Sequence, residues 1–351
     1  MEFASDNSSG AAPEILAAVT AINAGYAPSY GSDPAMDDVR RLIRATFEAP
    51  EAEVYLVATG TTANALSLAC YCPPWGAVYA HAEAHVEMDE CGAPEFFIGG
   101  GKIVRVAGAS GKMTPAALSD AIEKTPHGFV HSVQRGMVTL TNTTEAGTVY
   151  SPAEITALAH VAKAHGLPVH LDGARFANAV VATGASPAEM SWKSGIDILS
   201  FGGTKNGCLG VEAVVIFDPA KAWEFELRRK RGGHLFSKHR YLSAQMRAYL
   251  TDNLWLDLAR RANAAAIALA EGIVQAGGAL LHPQDANIVF ASLPRSTHGR
   301  AMAAGAHYYL WPFDQSLEGP DGETLTARFV CSWCTTAAEI DAFLAVIRGR
   351  D

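Results

Sequence analysis

One lysine in the stretch Asp197-Ile198-Leu199-Ser200-Phe201-Gly202-Gly203-Thr204-Lys205-Asn206-Gly207 stands where an apolar run gives way to small residues. Small neighbours leave room for a cofactor, and partial desolvation behind a buried strand favours the neutral amine that a Schiff base requires. Alone, a lysine in a glycine-rich loop reads as solvated. Its company changes that reading. Asp172 follows the apolar run Pro168–Leu171, where a carboxylate can keep a ring nitrogen protonated and make the ring an electron sink; a plain Asp-Gly turn is the rival. Thr59-Gly60-Thr61-Thr62-Ala63-Asn64 separates the run Val54–Val57 from the apolar Ala65–Ala69. Helix N-terminal amides and threonine hydroxyls there suit a phosphate dianion, or serve as an ordinary cap. His85 can stack on a ring and exchange protons near neutral pH, or sit as a satisfied structural histidine. His81 and the acidic residues around it also raise a metal reading, but no further His or Cys falls in register, so no metal is expected.

An amine, a ring-nitrogen partner, a phosphate cradle and a stacking imidazole together describe the needs of pyridoxal 5'-phosphate (PLP). Nucleotide binding is unsupported. Gly108-Ala109-Ser110-Gly111-Lys112 has Val106 where a P-loop needs glycine and Met113 where it needs Ser or Thr, and Gly99-Gly100-Gly101 opens no GxGxxG turn.

The elements that must carry these residues alternate helix and strand. Ser151-Pro152-Ala153-Glu154 is a cap, a first-turn proline and a capping-box glutamate, and Ser186-Pro187-Ala188-Glu189 repeats the device. Thr336 and Glu339 do the same before the stripe Ile340, Phe343, Leu344, Ile347. Buried strands are expected at Val54–Val57, Val138–Leu140, Pro168–Leu171, Ile196–Ser200 and Val211–Phe217. The expectation is an α/β fold with a mostly parallel sheet covered on both faces, ligands gathering at the carboxyl ends of its strands. A long helical pattern from Leu242 to Gly277 leads into strands at Pro283–Leu293 and Ala327–Trp333, which predicts a smaller α+β unit. The division expected is residues 1–245 as the cofactor-binding domain with its N-terminal segment and 246–351 as the small domain.

The chain has 351 residues, 49% of them hydrophobic and 18% charged, with a formal net charge of -9. That is a globular composition, and the acidic balance argues against a nucleic-acid partner. The basic run Arg228–Arg231 reads as a solvated helix face. The polar start Ser5–Ser9 reads as no signal peptide, and the absence of an apolar span of membrane length argues against a membrane partner. With six cysteines read as free core thiols, the expected setting is the cytoplasm.

These stretches resemble the L-threonine aldolase family, PLP-dependent enzymes of fold type I (aspartate-aminotransferase-like) within the β-eliminating lyase and aldolase group. The similarity runs over nearly the whole chain, through Ser5-Asp6-Asn7, Tyr30–Pro34, Thr59-Gly60-Thr61, His85 with Glu90, His170-Leu171-Asp172-Gly173-Ala174-Arg175, Thr204–Gly207 and Arg328-Phe329-Val330. The resemblance implies that Lys205 holds the cofactor covalently, Asp172 pairs with the ring nitrogen, Gly60 and Thr61 hold the phosphate, and His85 stacks on the ring and serves in catalysis. Arg175 joins the cofactor site, and Ser5, Arg175 and Arg328 contact the substrate carboxylate or organise its pocket. It implies aldol cleavage of L-β-hydroxy-α-amino acids such as L-threonine, L-allo-threonine or phenylserine to glycine and an aldehyde. β-Elimination or a serine-hydroxymethyltransferase-like transfer on the same scaffold is the alternative. It also implies a homodimer or homotetramer with active sites at the dimer interface. The sequence departs from the common family pattern at Asp89, where an aromatic residue is usual, and at Arg231–Lys238.

Overall fold

A computed structural model describes residues 1–349. The larger sheet has seven strands: β1 (Glu53–Val57), β2 (Gly76–His81), β3 (Lys102–Val106), β4 (Gln134–Thr141), β5 (Val169–Gly173), β6 (Ile198–Gly202) and β7 (Glu212–Ile216). Their spatial order is β1-β7-β6-β5-β4-β2-β3. The β3-β2-β4-β5-β6 ladder is parallel, and β7 pairs antiparallel with both β6 and β1. Parallel strands need crossovers, and the helices supplying them cover both faces, so β5, β6 and β7 are buried at every residue. Phe201 of β6 makes edge-on contacts with Phe47, Phe176 and Trp255 on the way to the C-terminal edge.

A second sheet of four strands contains β8 (Ala279–Leu280), β9 (Ile288–Pro294), β10 (Tyr309–Leu310) and β11 (Thr324–Val330), in the order β10-β11-β9-β8 and antiparallel throughout. The helix Leu254–Gln275 serves both cores. Trp255 and Leu258 pack into the large one, while Leu269 and Ile273 pack under the second sheet beside Phe329 and Phe343. The first residues join this second core through Phe3, whose carbonyl accepts from the Val330 amide.

Several expectations need correction. The helical pattern from Leu242 to Gly277 is two helices, Arg240–Leu250 and Leu254–Gln275, separated where Asp252 and Asn253 take φ of 52° and 59°. Both residue types tolerate that left-handed region, so the break interrupts no apolar periodicity. At Ser186 the cap forms, with Ser186 Oγ accepting from the Glu189 amide at 3.2 Å, but only one turn follows. Ser191 leaves helical geometry at φ -137°, ψ -111° and folds its hydroxyl back to the Pro187 carbonyl. The strand expected from Pro283 begins at Ile288. Cys70, Cys72, Cys208 and Cys331 are buried free thiols, whereas Cys91 and Cys334 are exposed. In the basic run Arg229 is buried, its guanidinium 5.0 Å from the Tyr55 ring and its Nη1 donating to the Leu56 carbonyl. Among the described residues no helix is long and apolar enough to cross a membrane.

Candidate active site

A cavity of about 300 Å³ opens at the carboxyl ends of β1, β5 and β6, and Gly60, Thr61, His85, Asp172 and Lys205 all line it. Lys205 lies in a single helical turn, Thr204–Asn206, directly after β6. Its neighbours are pinned from below. Asn206 Nδ2 donates to the Tyr249 hydroxyl at 2.7 Å and to the Trp255 carbonyl at 2.8 Å, and the Tyr249 hydroxyl donates to the Gly202 carbonyl at 3.1 Å. Gly207 closes the turn at φ +99°, with Leu258 and Ala12 too close to admit a side chain. The lysine is thereby fixed at its base and free at its tip.

Asp172 ends β5 beside this turn. Its Oδ1 accepts from the Ala174 amide at 3.0 Å and its Oδ2 from Asn64 Nδ2 at 2.9 Å. The same Asn64 Nδ2 donates to Glu90 Oε1 at 2.9 Å, and His85 Nδ1 donates to that oxygen at 2.8 Å. One buried network therefore joins Asp172 to His85. The Glu90 hydrogen bond raises the His85 pKa, and burial raises that of Glu90, so the pair keeps one proton to higher pH than either group would alone. His170, two residues before Asp172, is neutral and structural. It is buried between the Thr139 hydroxyl at 2.8 Å and the Ser200 hydroxyl at 3.0 Å, and burial lowers its pKa to about 4.

The helix Gly60–Tyr71 begins at the cavity wall. Thr59 caps it by accepting the Thr62 amide at 3.2 Å, which leaves the earlier amides of Gly60 and Thr61 ahead of the first intrahelical acceptor. Nothing lies within 4 Å of where a Gly60 Cβ would stand, so the approach to those amides is open.

The remaining expected residues fall outside this lining. Arg175 is buried and donates from Nε to Asp6 Oδ2 at 2.6 Å and from Nη2 to Asp6 Oδ1 at 2.9 Å. Burial alone would raise the Asp6 carboxyl, but the charge and hydrogen bonds of Arg175 outweigh it and hold Asp6 below the usual range. Ser5 Oγ accepts from the Asn7 amide, and Asn7, not Ser5, reaches the cavity. Arg328 lines a second hollow of about 610 Å³ with Asp89, Phe290, Trp311 and Phe313, and Glu145 borders both hollows. The Arg328 guanidinium stacks 5.0 Å from Trp311 and 5.6 Å from Tyr309, and its buried Nε has no partner.

Residues 2–295 match the Beta-eliminating lyase family. The chain belongs to that family. It is 41% identical to the low specificity L-threonine aldolase of Pseudomonas aeruginosa over 99% of this chain and 97% of that one. A second relative, the low specificity L-threonine aldolase of a Pseudomonas species, is 40% identical over the same shares. The threonine aldolase structure of Leishmania major superimposes with a TM-score of 0.92 at 29% identity, covering 99% of this chain and 98% of that one. The fold is PLP fold type I, and the β-eliminating lyase family makes the protein a PLP-dependent lyase.

The donor set fits that cofactor. An amine, a carboxylate at a strand end, an uncovered helix N-terminus and an imidazole face one cavity, and two buried oxygens beside it, Asn64 Oδ1 and Glu90 Oε2, lack partners. Sequence reasoning gave no role to Asn64, Glu145 or Glu212, all of which line the cavity. Asn64, set between Ala63 and the run Ala65-Leu66, was the one local signal; nothing near Glu145 or Glu212 in the chain announces their position.

Proposed function

We propose that the protein cleaves the Cα–Cβ bond of L-β-hydroxy-α-amino acids, of the L-threonine, L-allo-threonine and phenylserine type, to glycine and an aldehyde. The observation that carries the reading is the convergence of Lys205, Asp172, His85 and the Gly60–Thr61 amides on one cavity beside the unpartnered Arg328 Nε. Bound PLP supplies an electron sink for the pair released when the Cα–Cβ bond breaks. Lys205 is the amine that holds it. Asp172, kept in place by Asn64 and the Ala174 amide, keeps a proton on the ring nitrogen, and the Gly60 and Thr61 amides take the phosphate.

Arg328 binds the substrate carboxylate, a role its planar fork suits and its stacking on Trp311 preorganises. Fixing that carboxylate fixes which Cα bond stands across the ring, so orientation selects cleavage. Arg175 organises the pocket through Asp6, and Ser5 does so by capping the turn that presents Asn7. His85, with Nδ1 committed to Glu90, offers Nε2 to the substrate hydroxyl proton, directly or through one water. The aromatic hollow around Phe290, Trp311 and Phe313 takes the β-substituent.

The same reading makes the protein a cytoplasmic homodimer or homotetramer with residues 1–245 and 246–351 as its two domains and its sites at the dimer interface. Phe96 (77% exposed) and Leu227 (52%) border an open hollow of about 690 Å³ and favour self-association. Incubating the holoenzyme with L-threonine tests the function. Equal amounts of glycine and acetaldehyde are expected; ammonia and 2-oxobutyrate in their place mean β-elimination.

A further inference from the structure

Glu212 opens β7, and its Cα stands in register with Gly202 of β6 on one side and Val57 of β1 on the other. Those two strands lead to Lys205 and to the Gly60–Thr61 amides respectively. The antiparallel entry of β7 thus delivers a carboxyl between the lysine and the helix N-terminus, on the wall of the same cavity. Glu212 is 6% exposed. Its Oε2 accepts from the Gly203 amide at 2.8 Å, and no lysine, arginine or histidine among the described residues forms an ion pair with it.

A buried carboxylate without a counter-ion beside an anion-binding helix N-terminus meets a second negative charge when a phosphate arrives, and like charges in one site are not both kept. Resting on the PLP reading above, we propose that Glu212 enters the loaded site as the neutral acid, so that capture of the phosphorylated cofactor takes up a proton at this carboxyl. The proton comes from solvent and raises the site's charge by one as the phosphate's enters; it is separate from the condensation of the cofactor's aldehyde with the Lys205 amine, which expels one water. Burial already pushes the Glu212 pKa up to about 7, against the Thr204 and Gly203 hydrogen bonds and the Lys205 charge, so little further cost is needed. The titratable groups packed around it are Lys205 and Cys208 from the turn after β6, Asp172 from β5 and Tyr249 from the helix Arg240–Leu250, with His85 and Glu145 on the same cavity lining. The helix Gly60–Tyr71 brings Gly60, Thr61 and Asn64 to the cavity, none of which titrates.

The sign follows: above about pH 7 the unloaded carboxyl is charged and must be protonated on binding, so phosphate-dependent affinity falls as pH rises; below it the proton is already present. The probe is 4-deoxypyridoxine 5'-phosphate, which carries the ring and phosphate but no aldehyde for Lys205. Calorimetry of the full-length apoprotein in two buffers of different ionisation heat counts the protons bound. The wild type should take up about one more proton than Glu212→Gln at about pH 8 and no more than it at about pH 6. Glu212→Asp should keep the excess. If Glu212→Gln does not fold, the wild type alone decides, because its uptake must grow between the two pH values by more than the free probe's own phosphate and ring-nitrogen titrations supply. Equal uptake in wild type and Glu212→Gln, or no such growth, overturns the inference while leaving the PLP reading intact. Failure of the wild type to bind either the probe or PLP sinks that reading itself.

Discussion

His85 and Asp172 communicate through two side chains from elsewhere in the chain, Asn64 and Glu90, and this network makes the site sensitive to single substitutions. Because the Glu90 hydrogen bond raises the His85 pKa, the free-base imidazole appears at higher pH than that of an unpartnered histidine, so kcat/KM should rise with pH through that raised value. His85→Asn should lower kcat by about 10²–10⁴-fold and flatten that limb, read from pH–rate profiles. Asn64→Ala strips a donor from Asp172 and Glu90 at once; the buried acceptors left behind should cost about 1–3 kcal/mol of stability, measured by denaturant unfolding. An unchanged midpoint would mean that water replaces the amide. At this scale the sequence was partly legible. Lys205 and Asp172 showed because each ends a buried run among small residues, whereas Asn64, Glu145 and Glu212 gain their meaning from segments brought together by the sheet.

The strand ends aim the chemistry, and the turns after them hold the aim. Gly207→Ala should both destabilise the fold by more than about 1 kcal/mol and weaken PLP binding, since φ +99° and the Leu258 contact oppose any side chain there; thermal unfolding and cofactor titration read the two effects. Ser151→Ala breaks the capping box at Glu154, neither residue of which lines the cavity, and should cost about 1 kcal/mol without altering PLP affinity. The contrast separates the turn that carries Lys205 from a helix that merely packs. Strands β5, β6 and β7 were readable because burial on both faces leaves each a short run rich in apolar residues. The break at Asp252–Asn253 was not, because both residues fit a helix as well as a left-handed kink. Likewise Arg229 looked solvated among its basic neighbours until Tyr55 and the Leu56 carbonyl covered it.

Asp6 ties three parts of the molecule together: the N-terminal segment, Arg175 after β5, and Asn287 before β9, whose Nδ2 donates to Asp6 Oδ2 at 3.1 Å. Its folded pKa is depressed, so the pair's stabilisation is present above the unfolded carboxyl's pKa and is lost as pH falls through the lower folded value. Asp6→Ala leaves Arg175 buried and unpaired, which should cost about 3–5 kcal/mol by denaturant unfolding. At the outer surface, Leu227→Asp should shift the sedimenting species toward monomer if the hollow beside Phe96 is a subunit contact. Everything in the proposed chemistry depends on Lys205 being the amine that holds PLP. Borohydride reduction of the holoenzyme followed by peptide mass mapping should place the reduced cofactor's mass on the peptide containing Lys205; the label on any other lysine, or on none, would refute the assignment.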